Sequence, residues 1–182
     1  MSTSSHDQTG FYFYPIDSEV INCLKEKLLG RFERLRLPAG LIPDTINPYS
    51  YDPLTLPKGD DFEHVKRAFF FTNKQENRTV KDGFWRASTL PEKIFSTGQM
   101  LGFKEEFNFF WSIRNETIKT NWIMNEYSVN QAIFSEDERK AIGNKIGSYI
   151  VCELRYESEY DDLSDDDVVD DDDEDDDDDK SE

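Results

Sequence analysis

All but one of the chain's 25 aromatic residues lie before residue 157, while the last 26 residues hold 18 of its 39 acidic groups. This partition decides what can fold. Residues 157–182 carry a net charge of -17, and their apolar groups are Tyr160, Leu163, Val168 and Val169. So little apolar surface cannot offset the entropy of ordering a backbone, so this tail is expected to be disordered. The first 156 residues hold 21 acids and 20 bases, a net of -1, so all but one unit of the formal charge of -18 belongs to the tail. That near-neutral body is long enough to bury a core, and its aromatic richness suits a sheet. The expected divisions are a polar leader at 1–8, a domain at 9–156 and the acidic tail at 157–182.

Along the body, Val20, Ile21, Leu24 and Leu28 recur at helical spacing, with Asp17 as expected N-cap and Gly30 as stop signal. A second helical stretch is expected over 31–35. Pro38, Pro43, Pro48, Pro53 and Pro57 then exclude a long helix or a central strand, leaving loop and turn. Short strands follow, at 68–71, 83–88, 103–112, 121–128 and 149–156, each rich in aromatic and β-branched residues. Arg114-Asn115-Glu116 reads as a hairpin connection, and such close neighbours favour antiparallel pairing. Ser135 with Glu138 forms a capping-box pattern, predicting a turn or two of helix up to Gly143.

The chemistry-bearing motifs are four. They are Gly10-Phe11-Tyr12-Phe13-Tyr14-Pro15-Ile16-Asp17-Ser18-Glu19, Asn77-Arg78 with Gly83-Phe84-Trp85-Arg86-Ala87-Ser88, Lys119-Thr120-Asn121-Trp122-Ile123-Met124-Asn125-Glu126-Tyr127, and Tyr149–Leu154. In order and spacing this set resembles the NAC-domain family of plant transcription factors, from the first motif to about Tyr156. The resemblance implies an α+β fold, a twisted antiparallel β-sheet flanked by short helices. It also implies a nuclear, DNA-binding, dimeric regulator of transcription that reads the major groove of double-stranded DNA with a β-strand. Several positions depart from the family pattern. Tyr12 stands for an arginine, Ser18 for a glutamate, Arg86 for a lysine, Glu105 for the second lysine of a pair, and Asn125 for a histidine. Thr89-Leu90-Pro91 replaces the end of the central motif.

Strand alternation puts Trp85 and Ala87 on one face and Arg86 and Ser88 on the other. Arg86 keeps the lysine's charge and adds a bidentate fork suited to guanine or phosphate. By the resemblance, Trp85, Arg86, Ala87 and Ser88 belong to the groove-reading strand, while Arg78, Lys81, Lys104 and Lys119 are expected phosphate or flank contacts. Lys66 to Lys93 holds seven bases and three acids, a net of +4. Neutralising ~4 phosphates gives a log-log salt slope of roughly -3.6 per subunit. The three tryptophans also read as core packing. Phe11, Tyr12 and Glu19 are expected at the dimer interface, as homodimer or as heterodimer with NAC relatives. The family's cross-subunit arginine–glutamate pair has no arginine at Tyr12.

The competing reading keeps the fold and loses DNA affinity: a protein-interaction module that pairs with NAC relatives and dampens them. Tyr12, Gln75, Glu105 and the tail favour it. The tail, with a root-mean-square reach of roughly 28 Å, is expected to compete with phosphate or to meet a basic protein partner. No enzyme is expected, since nothing resembles a nucleophile elbow or a phosphate-cradling glycine loop. No cofactor is expected, and His6 and His64 lie too far from each other and from cysteine to suggest a metal. Cys23 and Cys152 each sit in an apolar pattern and read as buried thiols of an intracellular protein. No signal peptide is expected, and no run reaches the roughly 18 apolar residues of a membrane span.

Overall fold

The computed structural model describes residues 12–158. The expectations for the polar leader, Phe11 and most of the acidic tail lie outside the described residues. Seven strands form one antiparallel sheet: β1 (Arg67–Asn73), β2 (Thr79–Val80), β3 (Gly83–Ala87), β4 (Glu92–Ser96), β5 (Gln99–Ile113), β6 (Glu116–Val129) and β7 (Tyr149–Tyr156). Their order is β1-β7-β6-β5-β3-β2. The long strand β5 takes two partners in tandem on one side, β4 along 99–104 and β3 along 107–111.

Both faces of the sheet are covered around β1, which is why Ala68 to Phe71 reads as a continuous apolar run rather than an alternation. Helix α1 (Asp17–Leu28) lays Val20, Ile21, Cys23 and Leu24 on one face, against Phe69, Phe71, Tyr127 and Val151. The opposite face buries Ala68, Phe70, Trp85, Phe109, Trp122 and Met124 under Tyr49, Leu56 and Phe62, which come from the proline-rich segment and its end. Helix α1 sits so low that a Cβ on Gly102 would lie 2.2 Å from the Ser128 carbonyl oxygen and 2.8 Å from Ile21 Cδ1. Only glycine lets β5, β6 and the helix meet there.

The proline-rich segment is irregular, as its prolines require, apart from a 3₁₀ turn at Pro48–Ser50. The Lys58 ammonium pins its far end by donating to the carbonyl oxygens of Pro53 (2.7 Å), Leu56 (2.9 Å) and Leu54 (3.2 Å). The same group lies 5.5 Å from the Trp122 ring centre, and burial pushes its pKa down.

Three expectations are corrected. The N-cap of α1 is Ile16; Asp17 is the first helical residue, and the Glu19 carboxylate accepts from the Ile16 N–H at 2.9 Å. The stretch at 31–35 is a 3₁₀ helix at Phe32–Leu35. The sheet also has two strands the sequence reading lacks, β2 and β4, and β5 and β6 are longer than expected. A two-residue turn at Thr97-Gly98, both with positive φ, joins β4 to β5. The β5–β6 connection is likewise a two-residue turn, Arg114 and Asn115 at φ 50° and 67°, which matches the twist of a tight hairpin. Helix α2 (Phe62–Val65) precedes β1. After β6, α3 (Glu136–Ile142) starts at the Ser135/Glu138 capping box and stops at Gly143, and α4 (Lys145–Ser148) leads into β7. No helix among the described residues is long and apolar enough to cross a membrane.

Candidate nucleic-acid interface

Strand β3 lies at the margin of the sheet beyond β5, flanked on its outer side only at its start by β2. Gly83 is required by contact: a Cβ there would stand 2.4 Å from Phe109 Cζ and 2.6 Å from the Phe110 carbonyl oxygen. After it the side chains alternate. Trp85 turns into the core, tilted against Phe109 with ring centres 5.0 Å apart, and its indole nitrogen is buried without a hydrogen-bond partner. Arg86 turns outward and is exposed. Its guanidinium lies 4.9 Å from the Phe110 ring centre and 5.3 Å from that of Phe84, two rings that stack with planes 9° apart. No carboxylate pairs with Arg86 among the described residues.

Backbone bonds give the strand an inner and an outer side. The Trp85 N–H donates outward to the Arg78 carbonyl at 2.9 Å, and the Ser88 N–H donates inward to the Glu106 carbonyl at 2.9 Å. Ala87 therefore points its amide outward, past the end of the two-residue strand β2. Ala87 and Ser88 are exposed, as are Thr89, Leu90 and Pro91. Lys81, in the β2–β3 turn, is exposed, and so is Lys119, which faces Phe110 across the β5–β6 ladder. The phenylalanine pair thus carries Arg86 above it and Lys119 beside it.

The other expected contacts are held elsewhere. Arg78 forms a two-pronged pair with Glu126, Nε to Oε1 at 2.9 Å and Nη2 to Oε2 at 3.0 Å. Its side chain is 15% exposed and that of Glu126 4%, so the guanidinium faces the interior instead of a phosphate. Burial opposes its charge, but the hydrogen bonds and charge of Glu126 outweigh burial and raise its pKa. Tyr49 donates to the same carboxylate. Trp85 is core, not an exposed stacking surface. Lys104 sits 3.3 Å from Asp17 in an ion pair, away from the β3 edge.

The N-terminal motif also serves the fold. Tyr127 donates from its hydroxyl toward Asp17 Oδ1 (2.9 Å) and Glu153 Oε2 (3.0 Å). Burial, then the charges of Glu153 and Asp17, hold that phenol protonated far above its ordinary range. Glu153, buried in β7, also pairs with Arg67, whose Nη2 donates to the Pro15 carbonyl at 3.2 Å. Of the expected dimer contacts, Tyr12 is 48% exposed, its ring 6.1 Å from His64, while Glu19 caps its own helix.

Sequence reasoning misses two residues. Between the pairs Asn108↔Ile123 and Phe110↔Lys119, β6 has three residues against one in β5, a bulge. Thr120 closes it: its hydroxyl donates to the Phe109 carbonyl at 2.8 Å and accepts from the Trp122 N–H at 3.2 Å. The Lys-Thr-x-Trp spacing is the visible trace of that device. Glu106 is the other. Its carboxylate accepts from the Ser88 hydroxyl at 2.7 Å, and no motif marks it. Among the described residues no cluster of His, Cys, Asp and Glu is arranged to hold a metal.

A family profile described as "No apical meristem (NAM) protein" matches residues 8–129, well over half of the chain. The chain belongs to the NAC-domain family. It is 27% identical over 161 residues to "NAC domain-containing protein 2" of Solanum lycopersicum, covering 84% of this chain and 56% of that protein. It is 30% identical over 159 residues to "NAC domain-containing protein 2" of Oryza sativa subsp. japonica, covering 80% and 47%. To "NAC transcription factor 29" of Arabidopsis thaliana it is 27% identical over 158 residues, covering 80% and 55%. The chain spans about half the length of these curated relatives.

Proposed function

We propose that this chain is a nuclear transcriptional regulator that binds double-stranded DNA through the β3 edge and acts as a dimer. The relatives named as NAC proteins, one of them a transcription factor, support the class. One observation carries the mechanism: Arg86 is exposed on a marginal strand, held over two phenylalanines and free of any carboxylate among the described residues. A β-ribbon in the major groove needs such a cation at its leading edge, with small neighbours so that the backbone comes close. Ala87 and Ser88 supply the small neighbours. Lys81 and Lys119, both towards the start of the strand, serve as phosphate contacts, while Arg78 shapes the hairpin from within through Glu126. Phe11 and Tyr12 contribute to the dimer interface through apolar contact.

The test is selection of bound sequences from a randomised duplex pool, followed by anisotropy titration at several salt concentrations. The wild type enriches a defined sequence, Arg86→Ala enriches none, and Lys119→Ala weakens all sequences alike while lowering the salt slope by about 1. Equal enrichment by wild type and Arg86→Ala rejects the mechanism. Partner capture without enrichment supports instead the interaction-module reading, which Glu105 and the missing arginine at Tyr12 favour.

A further inference from the structure

Arg86 and Ser88 leave the strand on the same side, two residues apart, and the structure gives them opposite hydrogen-bonding characters. A guanidinium only donates. A serine hydroxyl ordinarily rotates to donate or to accept as its surroundings demand. Ser88 has lost that freedom. Its one proton is directed at Glu106 Oε1 at 2.7 Å, with the Glu106 carbonyl oxygen at 3.3 Å from the same hydroxyl, and its own N–H donates to that carbonyl. A carboxylate acceptor makes the hydroxyl bond a strong, charge-assisted one. What Ser88 offers to solvent is therefore its lone pairs, with a negative charge behind them. Both features reject an acceptor and favour a donor.

On this ground we propose that Ser88 is a specificity-determining residue that accepts a hydrogen bond from an exocyclic amino group in the major groove, adenine N6 or cytosine N4. Glu106 is its positioning residue. The inference rests on the duplex-reading function above. In the major groove the two amino groups are the only donors, whereas guanine O6 and N7, adenine N7 and thymine O4 accept. Arg86 reads the acceptors and Ser88 the donors. Two residues along a strand span about 7 Å, close to two base steps at about 3.4 Å each. The preferred site therefore holds a guanine edge, whose O6 and N7 take both prongs of the guanidinium, and, two steps away, an adenine or cytosine edge.

The experiment is selection from a randomised duplex pool with the full chain as wild type, Ser88→Ala, Glu106→Gln, Glu106→Ala and Arg86→Ala, with circular dichroism confirming the fold of each. The wild type favours adenine or cytosine over guanine and thymine at one position by about fivefold, the ratio one net hydrogen bond provides. Ser88→Ala flattens that position alone. Glu106→Gln, whose amide oxygen still accepts the hydroxyl proton, retains the preference, and Glu106→Ala lets guanine and thymine in. A sequence enriched by the wild type, lost in Arg86→Ala and unchanged at every position in Ser88→Ala overturns this inference while leaving the function intact. Glu106→Ala with the wild-type preference overturns the role of Glu106. A wild type that enriches nothing overturns the duplex-reading function and this inference with it.

Discussion

Arg78 and Arg86 stand eight positions apart on either side of one hairpin, and the same charged group meets opposite surroundings in the two regions. Inside, Arg78 lies at 4.3 Å from the Phe107 ring centre and gives two hydrogen bonds to a glutamate that is itself almost wholly buried. Outside, Arg86 also rests on aromatic rings, but its nitrogens meet no carboxylate among the described residues. Aromatic contact alone therefore does not decide what an arginine does. The decisive difference is whether its donors are already satisfied. A satisfied guanidinium locks β2 and β3 to the middle of the sheet, and an unsatisfied one is available to an incoming anion or base.

The contrast is sharpest where it can be broken. Removing Glu126 by substitution to alanine strands the Arg78 charge in the interior and leaves Tyr49 without its acceptor, so stability falls by about 3–5 kcal/mol in chemical denaturation. A drop below about 1 kcal/mol makes that pair a surface-like one and erases the comparison. Alkaline pH tests the interior by another route. Burial, and then Glu19, push the Cys23 thiol up to about 11 from 9.0. The unfolded chain loses that proton first, so stability falls as pH rises from about 9 towards 11, by about 2 kcal/mol. Cys23→Ala flattens this limb of the urea-midpoint profile; an equally steep limb in the variant assigns the loss to other groups. Gly83→Ala forces a methyl against Phe109 and costs about 1–3 kcal/mol in thermal unfolding. Arg86→Ala has the smallest effect on the fold, about 0.5 kcal/mol, because an exposed side chain leaves no cavity and no orphaned partner. A large loss of stability there would place Arg86 with Arg78.

Much of this was legible in the sequence, and the gaps have local reasons. Strand β7 could be bounded at Tyr149 and Tyr156 because a tyrosine stands at each end and Ile150 and Val151 open an apolar run free of proline and glycine. Strand β4 could not, since Glu92 to Ser96 buries one side chain, Ile94, and follows a proline. The two sides of β3 followed from its two-residue period. The fate of Arg78 did not, because its partner lies 48 positions away and an arginine beside a turn looks the same whether paired or free. Asp17 looked like an N-cap for a similar reason. Its side chain is taken by Tyr127, 110 positions on, so the neighbouring Ile16 starts the helix. Patterns of period two or 3.6 report the faces of an element, whereas a pairing across the sheet leaves no mark on either residue alone.

The Thr120 bulge has a consequence for how this chain tolerates change. Trp111 still packs on the core and pairs with β3, but one hydroxyl absorbs the mismatch between the two long strands, and residues 113–118 beyond it are exposed and take their pairing from their own turn. That tip can be lengthened, shortened or exchanged as a unit without shifting Met124, Glu126 or Tyr127 to the wrong side of the sheet. It is the place to graft a foreign hairpin while Phe110, Trp111 and Lys119 keep their partners.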